Sequence, residues 1–312
     1  FFLNIPVAGA GYDVERFAHD AAAFEKAAGK PVAVAAWQDS VASAFRTHGI
    51  ATFPNEGDAI GVLAQVANHT ALMRRPRVAA PAPMQVELPP SEGKFLNEAQ
   101  SLELLGRHGV PVVPMQLCQT ADEARSAWNR ISADGSRVVM KACSRDIPHK
   151  SEYGLVALNV PTADEAGALF DRFWSKMDEL KAARDGVIVA AMCKGRHEFM
   201  VGAHVDPVFG PVVVVGDGGK YTEALNDCVV LMPPFSAEEV QTALRSLRIA
   251  PLFDGVRGEA PMDISALSEL AVAVAHFAVS AKDQIASLDL NPVLVGSVGE
   301  GAMVVDALVE RR

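Results

Sequence analysis

The sequence has little that would tie it to a membrane, a nucleic acid or an oxidising compartment. Its longest apolar runs are about six residues, such as PVVVVG from Pro211, and none approaches the roughly 20 that a membrane-spanning helix needs. Basic residues are the minority. Lys and Arg number 28 against 38 Asp and Glu, a formal net charge of −10. That balance argues against a general nucleic-acid surface and leaves room for a local basic pocket. Only four cysteines occur, Cys118, Cys143, Cys193 and Cys228, far apart and without a C-x-x-C pair. They read as reduced, mostly buried thiols of a cytoplasmic protein. Two phosphate-binding signatures are missing as well, the P-loop G-x-x-x-x-G-K-[ST] and the Rossmann fingerprint. There is no internal repeat and no low-complexity tract. FFLNIPV at the start carries no basic n-region, so it reads as a buried strand and not as a secretory signal. The expectation is a piece of a longer protein.

What is present points to two domains. With 312 residues, 50% hydrophobic and 21% charged, the chain has the make-up and length of a multi-domain globular protein. Residues 1–76 alternate short apolar strands (2–7, 31–37, 50–53) with helices (13–29, 40–48, 55–72). Helices between successive strands imply parallel pairing in a doubly wound α/β sheet, here a partial one. RRPRVAAPAPMQVELPPSEG, residues 74–93, has five prolines and no period, and reads as a linker over 77–93. Residues 94–312 read as an α+β domain of two lobes with a cleft. A helix is expected over 94–108. Three more are announced by capping boxes, Thr120 with Glu123, Thr162 with Glu165 and Ser236 with Glu239. Strands are expected at 137–142, 155–160, 187–192, 198–205, 212–216, 228–232, 287–290 and 303–308, several joined by short turns that favour antiparallel pairing.

Three stretches carry candidate chemistry. In RVVMKACSRDIPHKSEYG, Lys141 follows an apolar strand, and His149 and Lys150 follow a loop. A strand lysine holds a polyphosphate as a point charge, and a neutral imidazole can attack phosphorus. Two surface lysines and a polar turn fit the same letters. In HVDPVFGPVVVVGDGGKYTEALND, a strand runs into Gly216–Asp217–Gly218–Gly219, where backbone N–H groups can approach an anion. Glu223 and Asp227 follow at helical spacing, and a plain tight turn is the alternative. In SLDLNPVLVG and MVVDALV, a hairpin would set Asn291 beside Asp306, hard oxygen donors suited to Mg²⁺, with Pro292 breaking the first strand; a satisfied turn network is the other reading. Glu198, Glu103 and Arg257 read as surface charges, and His276 as a packed core histidine.

Taken in order, EAQSLELLGRHGVPVVP, VVMKACSRDIPHKSEYG, DPVFGPVVVVGDGGKYTEALND, PLFDGVRGEAPMDISAL and LDLNPVLV…VVDA resemble the ADP-forming (NDP-forming) acyl-CoA synthetases, relatives of succinyl-CoA synthetase. The resemblance implies an ATP-grasp domain over 94–312. It also implies that residues 1–76 are the last part of the flavodoxin-like CoA-ligase subdomain. It further implies an acid–thiol ligase that binds ATP or ADP with Mg²⁺, and CoA through domains absent from this chain. Nucleotide and those domains would be its partners, with no nucleic acid or membrane, and an exposed sheet edge would leave a homo-oligomer open. By the same resemblance His149 relays a phosphoryl group, and Lys141 holds the α/β-phosphates. The loop from Pro148 to Gly154, with Lys150, covers them. Ala190, Ala191 and Met192 form the hinge at the adenine edge, and Glu198 lies near the ribose and phosphates. Gly218 and Gly219, with Glu223 following, line the phosphate end, and Asn291 and Asp306 bind Mg²⁺. Leu155 stands where the family usually has a second glycine, so a left-handed backbone there would shift the phosphate loop. The alternatives are a non-catalytic regulatory module of a protein acyltransferase, or another ATP-grasp carboxylate ligase.

Overall fold

The computed structural model describes residues 1–5, 11–75, 77–91, 93–147, 150–193, 195–219, 222 and 226–312. They divide into two compact units, Phe1–Arg77 and Val78–Arg312.

The first unit is a three-stranded parallel sheet in the order β1 (Phe2–Ile5), β2 (Ala33–Ala36), β3 (Ala51–Phe53). Side chains alternate across the central strand. Val34 and Ala36 join the core under α1 (Val14–Ala28) and α2 (Asp39–Thr47), whereas Ala33 and Ala35 pack with Ala59 of α3 (Glu56–Arg74). Helices thus cover both faces, as the alternation of strand and helix predicts. Asp13 and Asn55 cap α1 and α3 by accepting the Arg16 and Asp58 N–H groups, and Gly29 ends α1 at φ +60°.

The second unit has two antiparallel sheets. The smaller runs β4 (Met115–Cys118), β7 (Gly186–Ala191), β5 (Val138–Cys143), β6 (Val156–Val160). Helices α5 (Ala121–Ile131) and α6 (Ala163–Glu179) cover one of its faces. The larger runs β10 (Cys228–Leu231), β9 (Gly210–Asp217), β8 (His197–Asp206), β11 (Ile285–Val295), β12 (Ala302–Val304), with β13 (Ala307–Arg311) also on β11. Helices α4 (Glu98–Arg107), α7 (Ala237–Leu244) and α8 (Ile264–Ala281) share its core. Helix α8 has a mean hydropathy of 1.6 over 18 residues and is the one helix among those described long and apolar enough to cross a membrane; 56% of it is buried. Counting uninterrupted apolar runs misses it because Ser268, Glu269 and His276 break the run.

Several local expectations need correction. Only Ser236–Glu239 of the three proposed capping boxes closes reciprocally. Thr120 and Thr162 accept the Glu123 and Glu165 N–H groups, but the Glu123 carboxylate turns to the Gln119 N–H instead. A further box with an asparagine cap, Asn97 with Gln100, starts α4. Strand β4 was not foreseen. Pro292 does not break its strand: β11 runs on to Val295, and a register shift against β8 between Leu290 and Val293 absorbs the missing donor. Residues 82–86 are anchored within the second unit. The Ala82 carbonyl faces His276 Nε2 at 2.8 Å, the Met84 N–H donates to Ser280, and Val86 is buried. His276 is therefore half-buried and holds this segment.

Candidate functional site: two lysines and two carboxylates

Alternation along β5 decides where Lys141 points. Val138, Met140 and Ala142 enter the core beneath α5 and α6, so Lys141 projects from the opposite face. Its side chain is 14% exposed, and its ammonium donates to Glu98 Oε1 at 2.9 Å and to the Val305 carbonyl at 2.8 Å, with Asp306 Oδ2 at 3.8 Å. Lys150 opens the 3₁₀ turn Lys150–Tyr153. Its side chain is 11% exposed, and its ammonium lies 2.7 Å from Glu98 Oε2 and 3.9 Å from Asp306 Oδ2. Two cations and two carboxylates therefore share one cluster.

Glu98 is the buried centre of that cluster, with 3% of its side chain exposed. Burial alone would raise its carboxyl, but Lys141 and Lys150 together outweigh burial and hold it below its ordinary value. Burial likewise works against the Lys150 ammonium, and Glu98 and Asp306 overcome it, so that its pKa is raised. Asp306 differs. A third of its side chain meets solvent, yet burial by its surroundings and then the Glu98 charge push it up to about 6 against the pull of the lysines.

The expected oxygen donors meet as the hairpin spacing requires. Leu290 pairs with Ala307 and Val293 with Val304, one continuous register that sets Asn291 opposite Asp306. Leu288 and Leu290 are buried, while Asp289 and Asn291 alternate to the exposed face. Asp306 is not within a strand but in the two-residue break between β12 and β13. One carboxylate and one amide oxygen on an open face fit Mg²⁺, which uses one or two protein ligands and fills its shell with water and phosphate. Among the described residues, no cluster of three His, Cys, Asp or Glu offers a metal a full protein cage.

A second group surrounds the glycine turn. The Gly218 N–H donates to the Glu198 carbonyl at 2.9 Å. A Cβ at Gly218 would lie 2.7 Å from the Phe199 carbonyl carbon, and Gly219 has φ +78° beside the Glu198 carboxylate. This turn thus needs glycine at both places. His197 Nε2 meets the buried Asp217 Oδ1 at 2.6 Å, a pairing that sequence spacing did not reveal. Asp227 does not join the site: its carboxylate accepts the Arg248 and Ile249 N–H groups. At the expected hinge Ala190 is buried. The Ala191 and Met192 N–H groups donate to the Pro114 and Arg137 carbonyls. His149, Pro148 and Glu223 lie outside the described residues. Gly154 takes φ +67°, and Leu155 is fully buried without a left-handed backbone, so the leucine carries no backbone strain of that kind.

Glu98 is the residue the sequence reading missed. Its signal was available: Glu98, Leu102 and Leu105 fall at i, i+4 and i+7, so the carboxylate lies on the apolar stripe of α4.

The ATP-grasp domain profile matches residues 89–310. The chain belongs to the ATP-grasp family. This ATP-grasp chain is 32% identical over 214 residues to the beta subunit of Pyrococcus furiosus acetate–CoA ligase [ADP-forming] II, covering 68% of this chain and 89% of that one. It is 37% identical over 214 residues to trans-feruloyl-CoA synthase FCS1 of an unknown prokaryotic organism, covering 68% of this chain. It is 35% identical over 216 residues to 4-hydroxybutyrate–CoA ligase [ADP-forming] of Nitrosopumilus maritimus, covering 69% of this chain. The match spans 30% of the length of each of these last two relatives. A similar solved structure is the dinucleotide-forming acetyl-coenzyme A synthetase 1 of Ca. Korarchaeum cryptofilum in complex with coenzyme A, Ca-AMPCP and HgCl+. It has a TM-score of 0.65 and 28% identity, covering 71% of this chain and 95% of that one.

Proposed function

We propose that this chain is the nucleotide-binding portion of an ADP-forming acyl-CoA synthetase, an acid–thiol ligase. In it a phosphoryl group passes between ATP or ADP and His149 during interconversion of acyl-CoA and carboxylic acid. The observation that carries this reading is the approach of the Lys141 ammonium to Asp306, 3.8 Å apart although they stand 165 positions apart in sequence. A phosphate-binding cation and a hard metal donor thereby serve one point. Another structure of the Korarchaeum enzyme, with TM-score 0.60 and 27% identity over 70% of this chain, is described with Mg-AMPPCP and a phosphohistidine segment pointing towards the nucleotide-binding site.

In this reading Lys141 and Lys150 neutralise the phosphates, and Gly218 and Gly219 line the phosphate end, where the Gly218 N–H is already held by the Glu198 carbonyl. Asn291 and Asp306 would hold Mg²⁺, which when bound would supply positive charge against the phosphate oxygens. A nitrogen of His149 attacks the terminal phosphorus; the N–P bond forms as the P–O bond to ADP breaks, and the reverse step regenerates ATP. With the Ala191 and Met192 N–H groups already bonded, the hinge offers the adenine amino group carbonyl acceptors. Glu198, beside the glycine turn, lies toward the ribose and phosphates, and Glu223 is assigned to the same end from its place in the sequence alone.

The same reading makes residues 1–76 the last part of a flavodoxin-like CoA-ligase subdomain and 77–93 the connection to the ATP-grasp domain. CoA-binding and ligase domains are the partners, a homo-oligomer is compatible with the open strand edge, and the cytoplasm is the place of action. Incubation with γ-labelled ATP tests the reading. Acid-labile label is expected on the chain and is lost in His149→Ala; label that survives the substitution removes His149 from the reaction.

A further inference from the structure

Two acids share two bases here, and they share them unequally. Glu98 makes the short, dry contacts, 2.9 Å to Lys141 and 2.7 Å to Lys150, and only 3% of its side chain is exposed. Asp306 makes the long ones, 3.8 and 3.9 Å, and is 35% exposed. Glu98 also occupies the first turn of α4, where the helix N-terminus favours a carboxylate. Lys141 is further tethered by the carbonyl of Val305, the residue next to Asp306.

We propose that Glu98 is a positioning residue that holds both lysines off Asp306, so that the Asp306 carboxylate stays open to a divalent cation. This rests on the assignment of Asp306 as a cation donor. If the charge at Glu98 is removed, Asp306 is the one carboxylate left within 4 Å of either ammonium among the described residues. A buried ammonium does not stay unpaired when a carboxylate is within an ångström or so of contact. Both lysines then close on Asp306 and compete with the cation for the same oxygen. With Glu98 charged, each ammonium has its own partner oxygen, and the outer face of Asp306 remains available beside Asn291.

The test is Mn²⁺ binding to the full 312-residue chain in the presence of ADP, read from the free-ion signal in electron paramagnetic resonance. Calorimetric binding of ADP with all metal chelated is measured beside it. Glu98→Gln is expected to weaken Mn²⁺ by roughly 10-fold or more, the usual consequence of losing a group that orients a ligand. Metal-free ADP is expected to bind as well as before or better, because one negative charge near the phosphates is gone. Glu98→Asp keeps the charge on a shorter arm and is expected to fall between. A residue needed only for folding would weaken both ligands together. Unchanged Mn²⁺ affinity in Glu98→Gln, or parallel loss of Mn²⁺ and metal-free ADP, overturns the proposal. If Glu98→Gln does not fold, Glu98→Asp decides: a selective loss of Mn²⁺ supports it and an unchanged affinity overturns it. Asp306→Asn separates the two levels. If it binds Mn²⁺ as the wild type does, the assignment of Asp306 fails and takes this inference with it.

Discussion

Lys141 on β5 and Glu98 on α4 form a buried ion pair of 2.9 Å between residues 43 positions apart. The pair joins the smaller sheet of the second unit to a helix packed in the core of the larger one. A buried charge without its partner is costly, so stability depends on the pair, and under the proposed function so does anion binding.

Lys141→Met is expected to lower stability by up to about 3 kcal/mol, the lower end for a broken buried pair because Lys150 still faces Glu98. It is also expected to weaken Mg-ATP by roughly 10- to 100-fold, the value of a hydrogen bond to a charged group. Urea denaturation and calorimetry measure the two effects. Wild-type stability in this variant would contradict the burial of the pair.

Asp306→Asn is expected to behave oppositely on stability. Its surroundings push the carboxyl up to about 6, so the charged form is disfavoured in the fold. A neutral amide removes that penalty, and the melting temperature of the ligand-free chain should not fall at pH 7. The same variant should lose the Mg²⁺ dependence of nucleotide binding. A clear drop in melting temperature would count against the electrostatic description.

Gly218→Ala should cost more than Gly219→Ala. At Gly218 the new carbon meets backbone, 2.7 Å from the Phe199 carbonyl carbon, and neither strand can yield. A cost of about 1–3 kcal/mol is expected. At Gly219 the obstacle is φ +78° and the tip of the Glu198 side chain at 3.0 Å, a cost of about 1–2 kcal/mol. Thermal melts rank the two.

The thiols should react in two classes. Burial pushes Cys143 up to about 12 and Cys118 up to about 11, the latter aided by Glu123. Thiolate forms only as pH approaches those values, so neither should alkylate in the native chain at pH 8 or at pH 9.5. Cys228, half-buried, should label first and Cys193 more slowly, since burial raises its thiol as well. Mass spectrometry before and after denaturation distinguishes the classes; native labelling of Cys143 would contradict its burial.

How much of this was legible follows from which forces act locally. The doubly wound first unit follows from alternation of apolar strands with capped helices, and Lys141 from the single cation after VVM. The meeting of Asn291 and Asp306 follows from their fifteen-residue spacing in a hairpin. Glu98 escaped because a glutamate in the first turn of a helix reads as a dipole or capping charge; only its place in line with Leu102 and Leu105 marks it as buried. Proline at 292 reads as a strand breaker, and the bulge that accommodates it is set by pairing with β8. The His197–Asp217 pair depends on two neighbouring strands coming into register, which neither segment specifies alone.

The most direct measurement is calorimetric titration of the chain with ATP, with and without Mg²⁺, in the wild type and in Lys141→Met. One site per chain, tightened by Mg²⁺ and lost or much weakened without the lysine, is the expected result. Absence of ATP binding, or binding indifferent to both Mg²⁺ and Lys141, would contradict a triphosphate held between Lys141 and Asp306.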